Sequence, residues 1–222
     1  RWSKHGVLPD PVARERGACP AAQSSVTEGW SESLSGVDLA ARTPDGPAPV
    51  AALDLSVVAL AESGWEPPAV RAMLRGAATI LGQCGIGLRK VSVHYLLGPE
   101  RLRYFTAETA LALVAARTYA KPAAYLVADT RRPVPFDAEA FAPANSARYP
   151  SLADTVWIVR GTPHPGIALA HELVHVLTDD GGHSSRPGNL MREETAAQNT
   201  NLAPEQCRRV LQSGRERGLL TN

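Results

Sequence analysis

A short apolar segment that carries three ionisable residues is the feature that most constrains this chain. The run 167–177 has apolar residues at helical spacing and is interrupted only by His171, Glu172 and His175. Burying two imidazoles and a carboxylate in such a helix is costly unless other groups compensate for them. Residues four apart share one helix face, so both histidines can reach one metal ion, with the glutamate toward its open side. The H-E-x-x-H pattern therefore predicts a metal-binding helix.

Length and charge exclude several classes of protein. The chain has 222 residues, of which 44% are hydrophobic, and this is enough for one sizeable core. Its 23 basic and 22 acidic residues give a net charge of +1 without a dense basic window, so nucleic acid is not an expected partner. No apolar run approaches the ~20 residues of a membrane helix, so no membrane span is expected.

The pattern of apolar residues predicts one folded domain behind a polar arm. Residues 1–48 lack a sustained period and are predicted to form an extended N-terminal arm, whereas 49–222 are predicted to form the folded domain that contains the metal-binding helix. Strands are predicted at 53–60, 88–97, 123–128 and 155–159, and further helices at 67–82, 107–119 and 204–214. The Pro-rich stretch 131–151 has room for an edge strand. This order predicts an α/β or α+β domain, in which a mixed sheet of about five strands packs on helices.

The three cysteines leave two interpretations open. Cys19, Cys84 and Cys207 are too few for a disulfide scaffold and lack the spacing of a structural zinc site. They are either buried free thiols, or Cys84 and Cys207 are bridged, because Cys84 ends one predicted helix and Cys207 lies in the last one. Cys19 is then left over.

A third metal ligand has to come from the residues after the helix. A catalytic zinc usually has three protein ligands and an open position for water. Gly181 and Gly182 are predicted to end the helix and turn the chain back, and His183 follows at once. Met191 lies eight residues further on, in the run H-S-S-R-P-G-N-L-M.

This run, together with H-E-x-x-H, resembles the metzincin zinc peptidases, and most closely their matrixin branch. Their pattern is H-E-x-x-H-x-x-G-x-x-H followed by a methionine turn, and the detailed match covers residues 171–191. The resemblance implies one catalytic zinc on His171, His175 and His183, with Met191 below the metal. It also implies that Glu172 is the general base on a zinc-activated water. The implied activity is that of a metalloendopeptidase acting on peptides or proteins.

The resemblance also implies a place of action. Matrixin-like enzymes are exported, and the chain begins at Arg1 rather than at methionine, which indicates a processed start. A secreted or periplasmic location is therefore expected. The excess of arginine over lysine is typical of a GC-rich bacterial genome.

Two departures from the family pattern leave the third ligand open. Thr178 stands where the family has glycine, and two extra residues separate His175 from His183. Asp180, or less favourably Asp179, is therefore an alternative third ligand. Both aspartates also offer oxygen ligands for Ca²⁺, although their pattern is typical of an exposed acidic turn.

A rival ligand set and a rival function also follow from the sequence. Glu194 lies nineteen residues after His175, the spacing that is typical of a third ligand in gluzincin peptidases. That set needs a second helix, for which the Pro/Gly/Asn loop 184–189 leaves little room. The alternative function is a metal-containing binding module with little or no proteolysis. The presence of Glu172 favours the enzyme, because a binding module has little need of a general base.

Two further residues are given structural or weak functional interpretations. His164, just before the metal helix, is predicted to cap the helix or face solvent. Cys19 could cap the zinc as a propeptide thiolate, but its neighbours, R-G-A-C-P, lack the pattern of that motif.

Overall fold

The computed structural model describes residues 26–39, 49–133 and 135–222 of the chain. Its strands are β1 (Thr27–Ser35), β2 (Ala51–Leu60), β3 (Ile86–Leu97), β4 (Tyr104–Phe105), β5 (Ala123–Val127), β6 (Asp129–Thr130), β7 (Ala138–Phe141), β8 (Thr155–Val159) and β9 (Leu220–Thr221). Its α-helices are α1 (Gly36–Leu39), α2 (Pro67–Gly82), α3 (Ala107–Ala116), α4 (Pro165–Thr178) and α5 (Pro204–Glu216). The predicted strands and helices from residue 50 onward are confirmed, although α3 ends at Ala116 rather than at residue 119.

Seven of these strands form one mixed sheet in the described part of the chain. The order is β1-β3-β2-β5-β8-β7, and the short β9 pairs with β2 outside this path. The strands β3, β2, β5 and β8 run parallel to one another, whereas β1 and β7 lie at the two ends and are antiparallel to β3 and β8, respectively. This arrangement confirms the predicted mixed α/β (α+β) sheet, and it leaves β7 with an open edge.

Alternating side chains divide the core into two layers, one on each face of the sheet. In β2, Leu53, Leu55 and Val57 pack against α2, α4 and α5, whereas Val58 and Leu60 belong to the opposite layer with α3. This alternation follows from the twofold period of a strand. The layer with three helices is the one that contains the H-E-x-x-H helix, α4.

A glycine pair lets α4 lie close against α2. A Cβ atom on Gly166 would lie 2.9 Å from the carbonyl oxygen of Met73 and 3.1 Å from the Cα of Gly76. Such distances are too short for a side chain, so the close crossing requires glycine here. The contact fixes the start of the helix that carries the histidines.

The sequence pattern gives no sign of β1, which lies inside the segment assigned to the N-terminal arm. Most of its residues are exposed or half-buried, and it joins the sheet through antiparallel pairing with β3. Leu34 and Leu39 nevertheless enter the core. Residues 1–25 and 40–48, including Cys19, lie outside the described residues, and the division at residue 48 stays a prediction.

A disulfide joins Cys84, just after α2, to Cys207 in α5, and their Cα atoms are 4.9 Å apart. The bridged interpretation of these two cysteines is therefore confirmed, and the free-thiol interpretation is wrong for them. Among the described residues, no helix has both the length and the apolar character needed to cross a membrane.

Candidate metal centre

Helix α4 places two histidines and a glutamate together in the interior. His171 and His175 are each 4% exposed, and Glu172 is 9% exposed, in a helix whose residues 168–177 are all buried. The helix ends at Thr178, whose hydroxyl donates to the carbonyl of Val174 at 2.7 Å. The left-handed turn is made by Asp179, with φ 51° and ψ 39°. The prediction that Gly181 and Gly182 end the helix and turn the chain is therefore wrong: the helix ends earlier, and neither of these glycines has a positive φ.

The two helical histidines are both held by backbone carbonyl groups. Nδ1 of His171 lies 2.8 Å from the carbonyl oxygen of Leu190, and Nδ1 of His175 lies 2.6 Å from that of Asp180. A carbonyl oxygen only accepts hydrogen bonds, so each Nδ1 carries the proton and donates it. Burial lowers the pKa of both imidazoles, that of His175 to about 3, which favours their neutral form. Each Nε2 then carries no proton and can serve as a ligand atom.

His183 completes a group of three imidazoles. It lies on the exposed loop after α4, and its ring centroid is 5.3 Å from that of His171 and 5.1 Å from that of His175. The ligand atoms of the three side chains lie within 4.8 Å of one another. The structure therefore brings together all three histidines of the predicted site. Burial lowers the pKa of His183, and the neighbouring His171 lowers it further.

The alternative third ligands lie outside this group. One carboxylate oxygen of Asp179 accepts from the backbone N–H of Ala144 at 2.9 Å. The carboxylate of Asp180 accepts from the N–H of Gly182 at 2.8 Å and pairs with Arg209 at 2.7 Å. Glu194 lines the cleft in a bend rather than on a second helix. The geometry favours His183 over these three residues.

The spacing of the histidine nitrogens fits a tetrahedral metal ion. The Nε2 atoms of His171 and His175 lie 2.9 Å apart, and with both Nδ1 atoms protonated neither Nε2 can donate to the other. Two nitrogens bound to one tetrahedral zinc at ~2.0–2.1 Å lie about 3.3 Å apart. Small adjustments of the two side chains would bring their nitrogens to this spacing around a bound metal ion. Three neutral imidazoles are a donor set that suits zinc.

The turn around Met191 ties the site to the rest of the domain. The carbonyl of Leu190 that holds His171 is in this turn, and Ser184 N–H donates to the carbonyl of Met191 at 2.6 Å. The side chain of Asn189 exchanges hydrogen bonds with Gln206 of α5, at 2.7 and 3.1 Å. Met191 itself is buried in the core layer of α4. The loop that carries His183 is thus hydrogen-bonded directly to the turn whose carbonyl holds His171.

Glu172 lies in the wall of a large open cleft beside the histidines. The cleft has a volume of about 1190 Å³ and is also lined by β7 and by the loop after His183. Burial raises the pKa of Glu172 to about 8, and a hydrogen bond from the backbone N–H of Ala140 in β7 lowers it. The carboxyl group is therefore fixed between the metal helix and the open edge of the sheet.

Three residues of the cleft are not indicated by any sequence motif. Arg132 is buried and ion-paired with Glu139 of β7, and burial raises the pKa of Glu139 to about 7. Asn145 follows β7 and donates from its side chain to the carbonyl of Ala140 at 2.9 Å. All three come from the Pro-rich stretch 131–151, where the short alternation of β7 is the only local signal.

The other described histidines do not line the cleft. His164 precedes α4, is exposed and makes no side-chain cap, which agrees with the solvent-facing prediction. His94 of β3 pairs with Glu28 at 2.8 Å. Neither contributes to the histidine group.

Comparison with known proteins identifies the fold of the chain but no relative by sequence. No protein-family model and no curated protein sequence matches this chain. Its structure is similar to the crystal structure of metalloproteinase-II from Bacteroides fragilis, with a TM-score of 0.55 and 14% identity. The match covers 80% of this chain and 60% of that protein, so the chain spans less than two thirds of its relative. At this identity the likeness is one of fold: the chain has the fold of a bacterial metalloproteinase, with three histidines that could hold a metal ion.

Proposed function

We propose that this chain is a zinc-dependent endopeptidase of the metzincin type, closest to the matrixins. In this proposal His171, His175 and His183 hold the metal, Glu172 is the general base, and Met191 lies in the turn below the site. The observation that carries the proposal is the group of three imidazoles, whose ligand atoms lie within 4.8 Å of one another, beside the buried carboxyl group of Glu172. Three neutral imidazoles suit a zinc ion, and a carboxylate beside that ion suits a general base.

In the proposed mechanism, the metal, Glu172 and the surrounding backbone groups have separate roles. A bound zinc ion supplies Lewis-acid chemistry, lowering the pKa of a water molecule and polarising the scissile carbonyl. The carboxylate of Glu172 takes the proton of the attacking water and returns it to the nitrogen of the leaving amine. A positive charge at the three histidines favours the ionised carboxylate that this step requires. The N–H of Ala140 orients the carboxylate, and the carbonyls of Leu190 and Asp180 orient the imidazoles.

The substrate in this proposal is an extended peptide that lies along β7. That strand is antiparallel at the end of the described sheet and borders the cleft. Main-chain hydrogen bonds to an open edge give affinity, and pockets for alternate side chains give selectivity. The disulfide between Cys84 and Cys207 supports an oxidising compartment, so we propose a secreted or periplasmic enzyme.

Metal analysis combined with casein digestion tests this function. We expect about one zinc per chain, digestion of casein, loss of digestion with a chelator, and recovery when zinc is restored. Fully active protein without metal would refute the proposed mechanism. Zinc-loaded protein that cleaves neither casein nor gelatin would instead favour a metal-containing binding module.

A further inference from the structure

The open edge of β7 presents the backbone groups of only every second residue. The N–H of Val159 donates to the carbonyl of Asp137 at 2.9 Å, and Glu139 lies opposite Trp157 in the antiparallel register with β8. Backbone groups in an antiparallel strand point alternately toward and away from the neighbouring strand. Glu139 therefore faces β8, whereas Ala138 and Ala140 direct their N–H and C=O groups toward the cleft.

Both outward groups of Ala140 are already engaged within the chain. Its N–H donates to the carboxyl group of Glu172, and its carbonyl accepts from the side-chain amide of Asn145 at 2.9 Å. The second contact closes a short turn back onto the strand. A substrate strand at this edge would present a main-chain N–H to the same carbonyl. The side-chain amide of Asn145 also donates an N–H to the carbonyl of Ala140, so it occupies the position of that substrate N–H.

The turn that carries Asn145 is anchored to the metal helix. The N–H of Asn145 donates to the carbonyl of Ala142 at 3.1 Å, and the N–H of Ala144 donates to Asp179, just after α4, at 2.9 Å. These bonds hold the backbone of the turn while the side chain of Asn145 stays exposed at the cleft. The side chain can therefore leave the carbonyl of Ala140 without unfolding the turn.

We propose that Asn145 is a specificity-determining residue that occupies the main-chain position of a peptide substrate on Ala140. The inference rests on the proposed peptidase function and names how its substrate strand is received. A peptide that leaves Asn145 in place pairs only with Ala138, and one that pairs with Ala140 must first displace the amide. In both cases the side chain weakens binding of extended peptides. It contacts neither the metal ligands nor the reacting atoms, so it acts on binding rather than on the chemical step.

Removing the donor tests the inference. Asn145→Ala and Asn145→Asp both lose the side-chain N–H, and the second keeps the size of the side chain. For a peptide that spans a site cleaved in casein, we expect KM to fall about three- to tenfold, as for removal of one competing neutral hydrogen bond, with kcat unchanged. Ser146→Ala is the matched control, because Ser146 lies in the same turn and its hydroxyl faces Pro143 rather than β7. Its KM should equal that of the unmodified protein.

A binding measurement separates this role from a purely structural one. In the Glu172→Ala background, in which turnover is expected to be at least about 100-fold slower, the zinc-loaded protein should bind the dye-labelled casein peptide about three- to tenfold more tightly when Asn145→Ala is added. Unchanged or weaker binding and an unchanged or higher KM would overturn the inference while leaving the peptidase function intact. If the zinc-loaded protein hydrolyses no casein, the proposed function is refuted, and this inference is refuted with it.

Discussion

The proposed metal site joins two regions that are built in different ways. His171 and His175 lie on a buried helix, four residues apart, and each is held at Nδ1 by a carbonyl oxygen. His183 lies on an exposed loop of altered length, and its ring is brought to the others by the path of that loop. The helical pair is therefore fixed by regular structure and core packing, whereas the position of the proposed third ligand, His183, depends on local turns.

The difference also explains why this chain departs from the family pattern in the loop and not in the helix. The helical pair keeps the spacing of the pattern, since a change of one residue would move a histidine to another helix face. The loop has two more residues than the pattern, and its left-handed turn is made by Asp179 instead of glycine. The loop therefore accepts insertions that the helix would not.

The largest effect is expected for the helical region, from Glu172→Ala. The variant should keep about one zinc per chain, because no ligand is removed, while kcat falls about 100- to 10,000-fold through loss of proton transfer. Metal analysis and peptide hydrolysis on the same preparation check both statements. Near-normal turnover in the zinc-loaded variant would show that Glu172 is not the general base.

The next prediction concerns the loop region. His183→Ala should weaken zinc affinity by more than about 100-fold, beyond what loss of an outer hydrogen-bond partner usually costs. Competition with a fluorescent zinc chelator measures the affinity. Glu194→Ala is the control, since Glu194 lies in the same cleft but outside the histidine group, and its affinity should stay normal. The opposite result would replace the metzincin ligand set by the gluzincin one.

The sequence predicts the helical region better than the loop and the edges. Apolar periodicity predicts the helices α2, α4 and α5, and the spacing of H-E-x-x-H places its two histidines on one helix face. Leu34 is the one buried residue of the strand β1, so no alternating pattern marks the strand. The contact between Asn145 and Ala140 joins a side chain to a backbone group, and backbone acceptors are not visible in a sequence. The features that the sequence does not predict are therefore those determined by backbone geometry rather than by side-chain type.

The disulfide gives a third test, because it supports the turn region through α5. Cys84→Ser with Cys207→Ser should lower the free energy of unfolding by about 2–5 kcal/mol, since the bridge closes a long loop in the unfolded chain. Denaturant unfolding measures the change, and peptide mapping without reductant should recover Cys84 joined to Cys207. Finding both thiols free in unfolded, unreduced protein would contradict the bridge.

A smaller effect is expected at the crossing of α2 and α4. Gly166→Ala would place a methyl group 2.9 Å from the carbonyl of Met73, so the helices must move apart, at a cost of about 1–3 kcal/mol. Gly161→Ala is the control, because its added methyl group would meet nothing within 4 Å. Thermal unfolding of the two variants compares them. Equal stability would mean that the metal helix does not depend on this close contact.

The smallest effect separates the two roles of Asp180, which stands where the helical and loop regions meet. Its carbonyl holds His175, whereas its carboxylate pairs with Arg209 and with the N–H of Gly182 near the surface. Asp180→Ala removes the carboxylate and keeps the carbonyl. Exposed ion pairs contribute about 0–1 kcal/mol, so stability should fall by no more than that, and zinc affinity should stay normal. Arg209→Ala removes the same ion pair from the other side and should have the same small effect. A sharp loss of zinc in Asp180→Ala, but not in Arg209→Ala, would instead make the carboxylate of Asp180 a metal ligand.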